Sequence, residues 1–260
     1  MRRGIFVFFM VGIMVVLSAL TINAQAEKPL PQLYYILEVA VKPCMLGQYE
    51  TAVKEMITLN KESQASYGWY GFSADDFVYY FSIPVKNLAD VENMYKEDEE
   101  LSKKWGEERS KEIEKSFAGT FEYVRTSMIY ERNDLSYVPE EPRLKSKEAN
   151  YRLWVYYYVK PDKDKEFQEI LKKFTALCKE RNVTGPFSVY TGGMGLEAPV
   201  YIVAFAAQSA GDFWPNYENA WKLLGEEGKS LLQKLFTLIR KRDIKTAWYR
   251  PGLSYMPEKK

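Results

Sequence analysis

The sequence predicts two successive copies of a strand-helix-strand-strand-helix-strand unit, an α+β architecture, on three observations. Residues 35–43, YILEVAVKP, have a counterpart 118 positions later in residues 153–161, LWVYYYVKP. Residues 135–140, LSYVPE, return at the same offset of 118 as LSYMPE in residues 253–258. The helically spaced apolar positions Tyr49, Ala52, Val53 and Met56 are matched, again at 118, by Phe167, Ile170, Leu171 and Phe174. A register kept over that distance marks an internal duplication. Because the buried helical stripe is copied along with the strand, the folding unit itself is duplicated.

The elements follow in order. Leu33, Tyr35, Leu37, Val39 and Val41 alternate with Tyr34, Ile36, Glu38, Ala40 and Lys42, the period-two pattern of a strand with one strongly apolar face. Pro43 has no N–H to continue a ladder and ends it. Helical spacing from Tyr49 to Ile57 predicts the first helix. Residues 69–72 and 77–83 read as strands joined by the polar turn 73–76. Their counterparts, 187–191 and 200–206, are joined by a longer loop containing Gly192-Gly193-Met194-Gly195. That loop lacks a phosphate-binding glycine pattern and leads into a strand, so a flexible hairpin connection is expected. A second helix including residues 96–115 is dense in both charge signs, with Leu101, Trp105, Ile113 and Phe117 facing inward. Gly106-Glu107-Glu108 recurs as Gly225-Glu226-Glu227, and Phe117 as Phe236. Residues 121–130 and 243–249 supply the last strands. This is the ferredoxin-like, split βαβ order. Residues 27–141 form the first unit, the polar stretch 142–150 a linker, and 151–260 the second unit.

Ahead of the first unit stand Arg2 and Arg3, an apolar run from Ile5 to Leu20, and Ala24-Gln25-Ala26. A basic start, an apolar centre and a small-x-small site predict a signal peptide over residues 1–26, cleaved after Ala26. No later segment is long and apolar enough to span a bilayer. The mature chain is therefore expected to be extracytoplasmic, periplasmic or secreted, with no stable membrane span. Cys44 and Cys178 are the only thiols. They occupy non-equivalent places in the two units, so we read them as independent small hydrophobes, a disulfide being the alternative.

The formal charge is +1 and no basic stripe is present, which speaks against a nucleic-acid partner. The absence of histidine excludes a histidine-ligated haem, the usual histidine-containing zinc sites and a Ser-His-Asp triad. Neither a metal nor a cofactor is expected. Aromatic residues make up 15% of the chain, but most fall on strands at core spacing, so they read as core before sugar or base platforms.

The aromatic first strand followed by Lys-Pro and an amphipathic helix (residues 34–57 and 152–174), the element order and the duplication resemble the dimeric α/β-barrel superfamily, which includes the ABM-like (antibiotic-biosynthesis-monooxygenase-like) and NIPSNAP-like domains. The resemblance covers nearly all of the mature chain. It implies two ferredoxin-like sheets packed face to face around a cavity, here as an intramolecular dimeric α/β barrel, in a monomer or a homodimer. Members range from cofactor-free oxygenases, isomerases and lyases to haem enzymes and proteins with no known reaction. This chain lacks the histidine that haem-binding and many catalytic members use, so no catalytic motif carries across.

If the apolar strand face packs on the helices, the opposite face lines the space between the sheets. That face carries Tyr34, Ile36, Glu38 and Ala40 in the first unit and Arg152, Trp154, Tyr156 and Tyr158 in the second. Tyr34, Arg152, Trp154, Tyr156 and Tyr158 are the candidate ligand-binding residues, with Arg152 anchoring an anionic group of an apolar or aromatic acid. Glu38 is the candidate catalytic base. Arg125 and Ser127 match Asp243 and Lys245 on the last strands and add charge to the same space. The structural alternative pairs Glu38 with Arg152, or each with water, near a barrel rim, and lets the tyrosines fill the core. Three functions follow: an extracytoplasmic small-molecule-binding protein, a cofactor-independent oxygenase, isomerase or lyase, or a cell-envelope interaction module with a filled barrel.

Overall fold

The computed structural model describes residues 32–144 and 148–258. The predicted signal peptide and its cleavage site lie outside them, as does part of the predicted linker. The first repeat runs β1 (Leu33–Val41), α1 (Leu46–Ser63), β2 (Tyr70–Ala74), β3 (Val78–Val85), α2 (Leu88–Trp105), α3 (Glu107–Phe117) and β4 (Phe121–Glu131). The second runs β5 (Tyr151–Val159), α4 (Asp164–Glu180), β6 (Phe187–Gly192), β7 (Val200–Ala207), α5 (Ala210–Leu238) and β8 (Ile239–Tyr249). After each first strand the Val-Lys-Pro motif opens a short 3-10 turn, Pro43–Met45 and Pro161–Lys163, that feeds the helix. Proline suits this place because its fixed φ is already helical and the first turn needs no N–H from it.

Three predicted elements are corrected. The long second helix is two helices, because Gly106 takes φ 86, a left-handed value that breaks the helix. Gly225, its counterpart, takes φ 58 with non-helical backbone and likewise divides α5 into two helical segments at a kink. The hairpin turn sits at Asp75-Asp76-Phe77, one to two residues later than predicted, with Phe77 at φ 61. The last strand of the second repeat starts at Ile239, four residues earlier than predicted. Of the predicted inward residues, Leu101 and Ile113 are buried, whereas Phe236 is exposed where Phe117 packs against the core.

The strands form one closed barrel in the order β1-β3-β2-β8-β5-β7-β6-β4, every neighbouring pair antiparallel. Each repeat contributes a ferredoxin-like sheet, and two seams close the ring. At one, Phe72, Ser73 and Ala74 pair with Tyr249, Trp248 and Ala247; at the other, Ile129, Tyr130 and Glu131 pair with Gly192, Thr191 and Tyr190. The apolar faces of β1 and β5 pack outward on the helices. Leu33, Tyr35, Val39 and Val41 meet Tyr49, Val53 and Ile57 in one core, and Val159 meets Phe167, Ile170 and Leu171 in the other. Alternation then forces the remaining side chains of these strands into the barrel. Among the described residues no helix is long and apolar enough to cross a membrane.

The repeated Leu-Ser-Tyr motif crosses between the repeats. Leu135 and Tyr137, at the end of the first repeat, belong to the core of the second; Leu253 and Tyr255 belong to the core of the first. Each tail is held in the same way. The Tyr137 hydroxyl donates to the Val183 carbonyl at 2.7 Å, and the Tyr255 hydroxyl to the Ala65 carbonyl at 2.9 Å. The Ser136 and Ser254 hydroxyls accept from the N–H of Val189 (2.8 Å) and Gly71 (2.9 Å). A Cβ on Gly71 would lie 2.6 Å from the Leu253 carbonyl oxygen, so the approach of the tail requires glycine there.

Cys44 is exposed and Cys178 buried, and neither is in a disulfide. Burial pushes the Cys178 thiol up to about 11. A thiol reagent at neutral pH is expected to label one cysteine per native chain and both after denaturation. Two labels on the native protein would contradict this placement.

Candidate functional site

The barrel encloses a cavity of about 700 Å³, within the range of small-molecule sites. All six predicted site residues, Tyr34, Glu38, Arg152, Trp154, Tyr156 and Tyr158, line it, and Ile36, Arg125, Ser127, Asp243 and Lys245 join them. Ala40, next on the same face, does not. Because β1 and β5 run in the same direction around the closed ring, their N-terminal halves put Tyr34 and Arg152 toward one end of the cavity. Their C-terminal halves put Glu38, Tyr156 and Tyr158 toward the other.

At the first end the half-buried Arg152 guanidinium donates through Nη1 to the carbonyl oxygens of Ala149 and Tyr151, the latter at 3.0 Å. It lies 5.9 Å from the Phe72 ring centroid. No carboxylate among the described residues lies within ion-pair distance of it. Burial holds its pKa below the ordinary arginine value, although it stays protonated at any physiological pH. Tyr34 and Tyr190 meet edge-on at 6.0 Å beside it, and burial raises the pKa of both phenols.

The middle of the wall is aromatic. Trp154 packs edge-to-face against Tyr80 at 5.2 Å and against Phe72 at 5.5 Å. Such pairs fix ring orientation and give a ligand a preformed apolar surface.

At the second end Glu38 accepts from the Tyr123 hydroxyl at 3.3 Å and stands 3.8 Å from Arg125, whose side chain is 70% exposed. The predicted alternative, a Glu38–Arg152 pair, is therefore not formed: the two belong to opposite halves of their strands, and Glu38 is flanked in register by Tyr80 and Arg125. Lys245 pairs with Asp76 at 2.8 Å and Lys241 with Asp243 at 2.7 Å. Lys241 also stands 4.6 Å from the Tyr158 ring centroid. Burial raises the pKa of Tyr156 and Tyr158, so both remain phenols, able to donate. Among the described residues no group of three or more Cys, Asp or Glu side chains is placed to hold a metal ion.

The glycine loop is more than a flexible connection. Gly193 N–H donates to the Met128 carbonyl at 2.7 Å, and Met128 N–H returns a bond to Met194 at 2.9 Å, so the loop lies along β4. Gly195, Leu196 and Glu197 then line the cavity. Sequence reasoning also missed Phe72, Tyr80 and Tyr190. The run VYYFSIPV of β3 is almost continuously apolar, so its inward face has no alternation to reveal it.

The fold and cavity together define the class: a duplicated α/β barrel of the dimeric-barrel type, closed within one chain around an aromatic chamber. Many solved structures share this fold with the chain. An anthrone oxidase-like protein is 17% identical with a TM-score of 0.57, over 85% of this chain and 92% of that one. A candidate monooxygenase from Fusobacterium nucleatum is 15% identical with a TM-score of 0.54, over 85% and 94%. Chlorite dismutase from Candidatus Nitrospira defluvii, in complex with imidazole, is 12% identical with a TM-score of 0.52, over 86% and 93%. No protein-family model and no curated protein matches the sequence.

Proposed function

We propose that this protein is an extracytoplasmic small-molecule-binding protein whose ligand, an apolar or aromatic acid, occupies the barrel cavity with its anionic group at Arg152. The observation that carries this reading is a guanidinium in the cavity wall with no carboxylate partner among the described residues. A cation so placed favours an anion from solution, and the Phe72, Trp154 and Tyr80 rings beside it favour an aromatic body. The open chamber weighs against an interaction module with a filled barrel. The signal-peptide pattern of residues 1–26 motivates the extracytoplasmic placement. Because the barrel closes within one chain, the site needs no second copy.

The test uses the protein processed and purified without denaturation. Native mass spectrometry is expected to show a co-purified small molecule or, with naphthoate added, a one-to-one complex, and naphthoate is expected to quench tryptophan fluorescence. No co-purified mass and no naphthoate binding at millimolar concentration would overturn the reading.

A second reading follows from Glu38 in the cavity and from neighbours bearing oxygenase names, which favour the ABM-like over the NIPSNAP-like side of the superfamily. Here the chain is a cofactor-independent oxygenase: Glu38 takes a proton from a carbon acid, dioxygen adds, and water leaves. With anthrone as probe, anthrone and dioxygen would give anthraquinone and water. In that case Glu38→Gln lowers turnover by about 100-fold or more while naphthoate affinity holds. No oxygen uptake above the uncatalysed rate would sink the enzyme reading. A histidine-ligated haem does not fit, because the chain has no histidine, and no step is derived through one.

A further inference from the structure

Two buried side-chain polar atoms among the described residues find no hydrogen-bond partner, and one is the Tyr80 hydroxyl. Tyr80 is only 5% exposed. It sits on the inward face of β3, since its neighbour Tyr79 packs outward against Tyr49, and its side chain lines the cavity. A buried phenol normally finds a partner, and one left unmatched carries a desolvation penalty that phenylalanine would avoid. Phe81, one residue on, shows that a plain ring is usable in this strand.

The surroundings define what the missing partner is. The nearby carboxylates are already engaged, Glu38 by Tyr123 and Arg125 and Asp76 by Lys245. Lys241 is held by Asp243. This end therefore offers no uncommitted cation to a second anion, and burial together with Glu38 and Asp76 keeps Tyr80 protonated, a donor. The hydroxyl is closed off from solvent. The Lys245 ammonium, 5.5 Å from the ring centroid on a flexible stem, is the movable group beside it.

We propose that the Tyr80 hydroxyl is a second anchor for the cavity's ligand, donating a hydrogen bond to a neutral carbonyl oxygen of an aromatic acid whose anionic group lies at Arg152. The ligand class is thus an aromatic monoanion with a ketone or ester carbonyl distal to its charge. The proposal rests on the reading of the cavity as a binding site, and its test separates the two.

Three probes are titrated into the wild type and into Tyr80→Phe: a naphthoate, the same naphthoate with an acetyl group on its distal ring, and acetylnaphthalene. In the wild type the acetyl group is expected to improve naphthoate affinity about 5-fold, and in Tyr80→Phe that gain disappears while plain naphthoate binds both proteins alike. Without ligand, Tyr80→Phe is expected to melt at or above the wild-type temperature, because it loses no hydrogen bond. An acetyl gain that is absent from the wild type or survives in Tyr80→Phe overturns the proposal. So does a clear drop in melting temperature, which would show that the hydroxyl already has a partner in protein or bound water. If acetylnaphthalene binds through Tyr80 and naphthoate does not, the Arg152 assignment falls and the Tyr80 assignment stands. If no probe binds, both fall.

Discussion

Tyr255→Ala is expected to lower the free energy of unfolding by about 3–5 kcal/mol, the range for deleting a large buried aromatic side chain. An effect of that size in the segment after the last strand would be surprising in a fold whose tail merely trails away. Here the ring is 4% exposed, lies 5.3 Å from Trp69 and closes the helical side of the opposite repeat. Its hydroxyl satisfies the Ala65 carbonyl. Tyr137→Ala, in the equivalent position, is expected to behave alike, whereas Val138→Ala, at a site 72% exposed, should change stability by less than about 0.5 kcal/mol. Urea titrations measure all three. If Tyr255→Ala falls within about 1 kcal/mol of the wild type, the docked tail is not part of the cooperative core.

Arg152→Ala is expected to weaken naphthoate binding by about 10- to 100-fold, the range for a hydrogen bond to a charged group. Arg152→Lys should fall between, because an ammonium keeps the charge but not the fork that bonds backbone and ligand together. Arg109→Ala is the control: it pairs with Glu62 at 2.9 Å on the exposed helical side and does not line the cavity, so affinity should hardly move. Circular dichroism and melting of each variant separate lost binding from lost folding. Unchanged naphthoate affinity in a folded Arg152→Ala protein would remove Arg152 from the site.

The parts of this architecture legible in the sequence were those written in local periodicity. The alternation of β1 exposed its two faces, and the offset of 118 carried that assignment to β5, so the inward placement of Tyr34, Glu38, Arg152, Trp154, Tyr156 and Tyr158 was legible without a structure. Pro43 and Pro161 marked both strand ends for a steric reason that is equally local. Other features were not written in that way. The Leu-Ser-Tyr motif was visible as a repeat, but which core it enters depends on closure of the barrel, and no spacing along the chain records it. Gly106 breaks a helix inside a run of charges where no apolar stripe shifts to signal the break. Tyr80 escaped because its strand is apolar on both faces, one meeting helices and the other a cavity.

The three-residue seams join two walls that began as copies and no longer match. Had they stayed alike, each end of a ligand would meet the same groups on either wall, and two poses related by a half-turn would be equal in energy. Where one wall carries Tyr34 and Glu38 the other carries Arg152 and Tyr156, and the degeneracy is gone. A ligand with two unlike ends would then have one preferred orientation in the chamber, its charged end at Arg152.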